Sequence, residues 1–500
     1  MKTQIFAKYC QLPQRLKAEF TQAAEPEHTN DHFETVTDKT HLPVPMKHLT
    51  KKLSKLITSI SSKDITEASI IKARQLLLDG ISVAVAGTIQ ETPPSILADH
   101  IRDQGAKPLS SVIGFGFKTT PVNAAYINGS SMHVLDYEPM WAPANHALST
   151  NLPTVLALVE STDINGLDAL TALIKGIEIQ GWIREASRQY DPGKLKMHPP
   201  GLTAPLSSAV AASHILGLDA ETLQHAIGLA VSRAGTSLAN VGTMAKMTHC
   251  GLSGAMGLDA AQMAQRGFTS NPEAIEAQRG YIDMFFKDEF HSSELLNFGP
   301  PFRIVEPGYA LKMFPSQYAT HFVISAGLAL HPKIDDSDKI DKVKLTSPEM
   351  GYIDRSHPES GLAGKFSFQY TCCAALLDGV VNMATFEDSR RFAPDMEKML
   401  NKIELCMSQT IPGKFQDMYV DLEVTMKDGT KHTTRCRGPR GSWNGDPVSV
   451  EEHLQKVRSC LDTRLNQIAR ERIVELGSNF EMLTNTDLRE LLSIASNSSL

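Results

Sequence analysis

The stretch 133–146, His-Val-Leu-Asp-Tyr-Glu-Pro-Met-Trp-Ala-Pro-Ala-Asn-His, sets a carboxylate at Asp136 and an imidazole at His146 ten residues apart, with two prolines and a tryptophan between them. A carboxylate and an imidazole held rigidly beside a pocket can move protons. Pro139 and Pro143 lack an amide hydrogen and clash with a preceding helical turn, so neither fits inside a regular helix. The segments on either side, 121–132 and 147–161, have helical patterning. Asp136 and His146 are therefore expected on a stiff loop between two buried helices. A helix-capping aspartate and a hydrogen-bonded core histidine would explain the same pair equally well, so the other polar clusters must decide.

Four such clusters interrupt apolar surroundings. His198 precedes Pro199-Pro200-Gly201 and the apolar segment 203–217, well placed for proton transfer at a helix start, although a lone histidine there is more often structural. Lys246 and His249, in Thr-Met-Ala-Lys-Met-Thr-His-Cys-Gly (243–251), open a helix rich in small residues whose N-terminus favours an anion. Lys312 and Gln317 lie in Leu-Lys-Met-Phe-Pro-Ser-Gln-Tyr-Ala-Thr-His (311–321), and Tyr370 ends Phe-Ser-Phe-Gln-Tyr (366–370). Apolar neighbours on both sides weaken a solvated-surface reading of the two lysines. No HExxH, His-x-His or clustered Cys/His motif is present, so a protein-bound metal is not expected. Gly-x-Ser-x-Gly is absent as well. Gly114-Phe-Gly116 lacks the third glycine of a dinucleotide fingerprint and reads as a short hairpin or loop. Two histidines, two lysines, an aspartate and a tyrosine suit a small polycarboxylate: cations neutralise it while His or Tyr exchanges protons.

The elements that must position these residues are mostly helical. The 500 residues are 42% apolar, 21% charged and only 6% aromatic, which favours helix-on-helix packing in an ordinary soluble enzyme. The net charge of −7 without a basic block leaves no support for nucleic-acid binding. No apolar run approaches a membrane span. The seven cysteines, including vicinal Cys372-Cys373, follow no framework spacing and suggest reduced thiols inside the cell. The cytoplasm is the expected compartment, with mitochondria as the alternative because the first 20 residues are mildly basic. Residues 1–46 are expected to form a flexible extension and 47–307 a helical domain. In the latter, Asp64 with Glu67 looks like a capping box, and Gly87 like the end of that helix. From 308 to 449 the pattern becomes α+β, with strands near 341–347, 401–409, 418–426 and 430–436, a hairpin at Asp428-Gly429 and a helix near 367–384. Residues 450–500 return to helix and should pack back on the first domain.

These motifs resemble the MmgE/PrpD family, which includes 2-methylcitrate dehydratases and cis-aconitate decarboxylases. The similarity runs from about residue 48 onward and is densest in 133–160, 197–218, 226–251, 312–321 and 365–379. It implies a mainly α fold: a large all-helical domain built from the N- and C-terminal segments, a smaller α+β lid domain, a homodimer, and an active site between domain and lid that uses no metal or organic cofactor. The chain is similar in particular to the animal cis-aconitate decarboxylases. On that resemblance Asp136, His146, His198, Lys246 and Tyr370 correspond to active-site residues and Lys312 to a lid lysine. Met140 stands where those enzymes have an active-site threonine, and Gln317 where they have a lid histidine. Substrate contact is thus expected at Lys312, Gln317, Met140 and His249. The expected reaction is decarboxylation of an aconitate-type tricarboxylate, cis, trans or alkylated, with His146 oriented by Asp136 as proton donor and Tyr370 as the alternative. Dehydration of 2-methylcitrate or an alkylcitrate, and a non-catalytic binding paralogue, are the competing readings.

Overall fold

The computed structural model of the chain describes residues 46–286 and 289–497. The expectation for the N-terminal extension falls, apart from Met46, outside the described residues. The protein is mainly α with a small sheet region. One apolar core is built from helices between Leu49 and Ile304 and is completed by Val457, Leu461, Ile473 and Leu488 from the last helices. A second gathers residues 310–424 and takes in Val83, Val134, Met140, Met247 and Cys460. The described cysteines are free, and no described helix is long and apolar enough to cross a membrane.

The helix Met244–Gln265 runs through the first core against Pro121–His133, Leu148–Val159 and Pro199–Ile215. Its small residues explain the closeness of these contacts. A Cβ on Gly251 would lie 2.1 Å from the Tyr126 carbonyl oxygen, one on Gly254 2.5 Å from that of Thr150, and one on Gly257 2.3 Å from that of Pro205. Each glycine thus admits the backbone of a different helix. Gly87 works in the same way, which corrects its reading as a helix end. The helix Glu67–Gln90 continues through it, because a Cβ there would meet the Ser131 carbonyl at 2.0 Å. That helix is capped by Thr66, whose side chain accepts from the Ser69 amide; Asp64 instead closes a capping box with Ser61 one turn earlier.

In the second core four strands line up in the order Ile403–Ser408, Ile340–Pro348, Val420–Met426, Lys431–Cys436. The first two are parallel, with Leu345 opposite Leu405, and the rest antiparallel. Gly429, at φ +85°, turns the final hairpin, as Asp-Gly between alternating strands predicts. The helices Thr320–Leu330 and Phe368–Asp378 pack on the sheet and on each other.

Replacing Gly251 with Ala should destabilise the fold by about 1–3 kcal/mol, the usual cost of forcing a methyl group into a filled interior. Denaturant unfolding measures it, and an unchanged midpoint would contradict the backbone contact at Tyr126.

Candidate active site

Two chain segments meet at the loop that follows the helix Pro121–His133. Met140–Trp141 pairs antiparallel with Tyr309–Ala310, so the loop is tied to the start of the second core. Asp136 sits in this loop at φ +49°, a left-handed conformation uncommon for a residue with a side chain. Its carboxylate receives Lys246 Nζ at 2.9 Å and also Lys312 Nζ, which donates in addition to the Asp136 carbonyl at 2.8 Å and the Ser316 carbonyl at 3.2 Å. Burial opposes ionisation of Asp136, but Lys246 and Lys312 outweigh it and hold the carboxyl well below the ordinary range.

Two residues on, the fully buried Glu138 serves the histidines. Its Oε1 lies 2.5 Å from His133 Nδ1 and 2.9 Å from His146 Nδ1, and accepts from Ser149 Oγ at 3.1 Å. Burial alone would raise the Glu138 pKa; His133 and His146 more than reverse that. The expectation that Asp136 orients His146 is therefore corrected: Glu138 does so, because Asp136 is engaged by two lysines. His198, at the N-cap of Pro199–Ile215, has its Nδ1 3.2 Å from His249 Nδ1. The rings of His133, His146 and His198 lie edge-on or tilted to one another, their centroids 4.4–5.7 Å apart. Burial, reinforced by Lys246, depresses His133 to about 3, His249 to about 4 and His198 well below its ordinary value. His146 is lowered by burial despite Glu138. The imidazoles are thus neutral near pH 7.

A cavity of about 240 Å³ opens beside them. Asp136, Asn145, His146, His198, Lys246, Gln317 and Tyr352 bring polar groups to it, and Met140, Leu195, Leu238, Val241, Phe366 and Phe415 line much of the rest. The starts of the helices Leu148–Val159, Pro199–Ile215 and Met244–Gln265 carry or adjoin His146, His198 and Lys246, so three N-terminal ends border one space and favour a bound anion. Lys246 also lies 5.0 Å from the Phe366 ring centroid.

Of the residues singled out in the sequence, Asp136, His146, His198, Lys246, Gln317 and Met140 line this cavity. His249 stands behind His198. Lys312 is fully buried and spent on Asp136, so it is a clamp on the loop rather than a free carboxylate ligand. Tyr370 is not brought to the cavity: its hydroxyl donates to the Thr385 carbonyl, and its ring packs against Phe386 and Arg391. The tyrosine at the cavity is Tyr352, whose oxygen accepts from Gln317 Nε2 at 2.9 Å and whose phenol is pushed up by burial. Sequence reasoning also misses Asn145. Its Oδ1 accepts from the Gln180 side chain at 3.0 Å and the His146 amide at 3.0 Å, which leaves Nδ2 without a partner beside the cavity. Its place in Ala-Asn-His, next to His146, is the one local signal that points to it.

His133, His146 and His198 each offer a ligand atom within 4.8 Å of the others, a set that could hold a divalent transition metal. They come from separate segments and form no linear motif. The field of Lys246, which helps keep all three imidazoles neutral, also works against a dication there.

Comparison with known proteins places this geometry. The MmgE/PrpD N-terminal domain matches residues 51–293, and the MmgE/PrpD C-terminal domain matches 314–482. The chain belongs to the MmgE/PrpD family. It is 29% identical to cis-aconitate decarboxylase of Mus musculus over 437 residues, 84% of this chain and 89% of the relative. The human cis-aconitate decarboxylase is 29% identical over 456 residues, covering 88% and 93%. A 2-methylcitrate dehydratase of Escherichia coli K12 is 27% identical over 417 residues, covering 77% and 84%. These relatives are enzymes, a carboxy-lyase type and a hydro-lyase type, and the C-terminal family match runs past residue 449 into the helices that complete the first core.

An ionised Glu138 facing two neutral imidazoles requires Nδ1–H at both, so His146 turns an unprotonated Nε2 to the cavity. Nitrogen-15 NMR of histidine-labelled protein should show the Nδ1–H tautomer for His146. Glu138→Gln, which removes a charge that raises the His146 pKa, should lower that pKa further. A wild-type Nε2–H tautomer would refute the arrangement.

Proposed function

We propose that this protein is a cofactor-independent lyase that decarboxylates an aconitate-type unsaturated tricarboxylate, cis-aconitate to itaconate or a trans or alkylated analogue, and acts as a homodimer. The observation that supports it is the convergence of Lys246, Asn145, His146, His198 and Tyr352 on one small cavity bordered by helix N-termini, in a chain related to cis-aconitate decarboxylases.

In this reading Lys246, the free Asn145 amide and His198 bind carboxylates. The bond from the carboxymethyl arm to its carboxylate breaks and carbon dioxide leaves. The electron pair passes through the double bond onto a neighbouring carboxylate, where fixed cations and donors stabilise it. One proton then goes to carbon from protonated His146, or from Tyr352. The phenol suits that role because its oxygen already accepts from Gln317, which leaves its own hydrogen to donate.

The buried charges of the resting site cancel: Asp136 and Glu138 against Lys246 and Lys312. A polycarboxylate must therefore bring protons with it. Its charge stabilises the imidazolium forms of His146 and His198, so their pKa values rise on binding from depressed free values. Between the free and bound values binding takes up protons, and affinity should fall as pH rises. Calorimetry in buffers of different ionisation enthalpy should show net proton uptake near pH 7; none would contradict the assignment.

Dehydration is the second reading. A neutral His146 is a resting base, as removal of a proton from 2-methylcitrate or an alkylcitrate would need, with Tyr352 protonating the departing hydroxyl. Proton NMR of reactions with cis-aconitate, trans-aconitate and 2-methylcitrate separates the two, since vinylidene signals with released carbon dioxide mean decarboxylation. His146→Ala and Tyr352→Phe should each lower turnover, by roughly 100-fold or more for the proton donor. Tyr370→Phe should leave turnover close to wild type. The reverse ranking of the two tyrosines would overturn the choice of Tyr352.

A further inference from the structure

We propose that Lys456, on the helix Val450–Leu461, together with Asp79, is a positioning device for the active-site loop. Lys456 Nζ donates to the Tyr137 carbonyl at 2.9 Å, lies 2.7 Å from Asp79 Oδ2, and sits 4.0 Å from the centroid of the Tyr137 ring. His453 Nε2 lies 3.2 Å from the same Asp79 oxygen. Asp79, His453 and Lys456 are all buried, and none lines the cavity.

A buried charged cluster contributes little net stability compared with apolar packing, so its presence in the middle of two helices asks for another role. The loop supplies one. Asp136 holds a positive φ, which costs less for an aspartate than for most residues but still costs a chain with a Cβ, and such a conformation persists only where the surroundings over-determine it. Two consecutive carbonyls are gripped by two buried lysines: Asp136 by Lys312 at 2.8 Å and Tyr137 by Lys456. The Tyr137 hydroxyl, donating to the Met313 carbonyl at 3.2 Å, pins the residue from its far end. Tyr137 stands between the carboxylate that receives Lys246 and the one that receives His133 and His146. The peptide held by Lys456 therefore sets the direction of both. The helix is suited to this because it joins both apolar cores, Val457 and Leu461 in one and Cys460 in the other.

The test uses the full chain. Asp79→Asn with Lys456→Met removes both charges at near-constant volume and leaves no buried ion unpaired. The double variant should unfold cooperatively near the wild-type temperature. Its His146 nitrogen-15 signals, read without substrate, should show a changed tautomer balance or titration. Its kcat on the substrate found by the NMR panel should fall roughly 10- to 100-fold, with KM within about threefold, as expected when catalytic groups are misplaced but binding groups remain. Arg458→Gln, which removes a pair with Glu471 on the neighbouring helix, should change neither readout. If the double variant does not fold, Lys456→Arg, which keeps the charge but cannot set its donors at the same point, should show the same imidazole change. A folded variant with wild-type His146 signals and wild-type kcat overturns the proposal. Because the imidazole readout needs no substrate, it holds or fails separately from the choice of reaction.

Discussion

The structure turns on one buried carboxylate shared by two lysines. Asp136 is almost fully buried, and so are Lys246 and Lys312, which reach it from either side of the junction between the two apolar cores. Ion pairs of this kind are poor stabilisers overall, but losing one partner strands a charge in the interior at a cost of about 3–5 kcal/mol. The three residues therefore stand or fall together. Lys246 belongs to the helix Met244–Gln265, and Lys312 to the stretch of chain leading into the second core. Their common partner fixes where the two parts of the chain meet, and the cavity lies at that meeting.

Helix packing then decides which groups reach the cavity. Glycines on Met244–Gln265 draw three other helices into backbone contact, and the polar residues gather at one end of that bundle. His133 is the last residue of its helix, His198 caps the next, and Lys246 lies in the first turn of the third. Residues far apart in sequence become neighbours because they occupy corresponding ends of packed rods. The two N-terminal ends, at His198 and Lys246, present their amides to an anion, which offsets the near cancellation of side-chain charge around it.

Much of this is legible from residue order, and the exceptions share a cause. Periodicity marks the helices, Asp428-Gly429 the hairpin, and two prolines the loop that carries Asp136 and His146, because those signals are local. Gly87 reads as a helix end because the carbonyl that requires it lies on another helix. Glu138 is passed over in the sequence, since nothing nearby along the chain shows that it faces two imidazoles at once. Lys312 looks like a free cation because its partner is remote along the chain, and Tyr370 looks catalytic by resemblance although its hydroxyl is committed to Thr385. Local chemistry identifies which side chains are costly to bury; only the tertiary fold assigns their partners.

Gln317 shows how such an assignment feeds chemistry. Its Oε1 accepts from the Ala319 amide at 2.6 Å, which settles the orientation of the side-chain amide and aims Nε2 at the Tyr352 oxygen. A phenol that accepts from a fixed donor must send its own hydrogen elsewhere, and at Tyr352 the open direction is the cavity. An imidazole in place of Gln317 could reverse that bond by accepting the phenol hydrogen, and would then compete for the proton. A glutamine anchored through its oxygen cannot. The residue at 317 thus determines whether the hydroxyl hydrogen of the tyrosine beside it is held by the protein or left free, and in this chain Gln317 leaves it free.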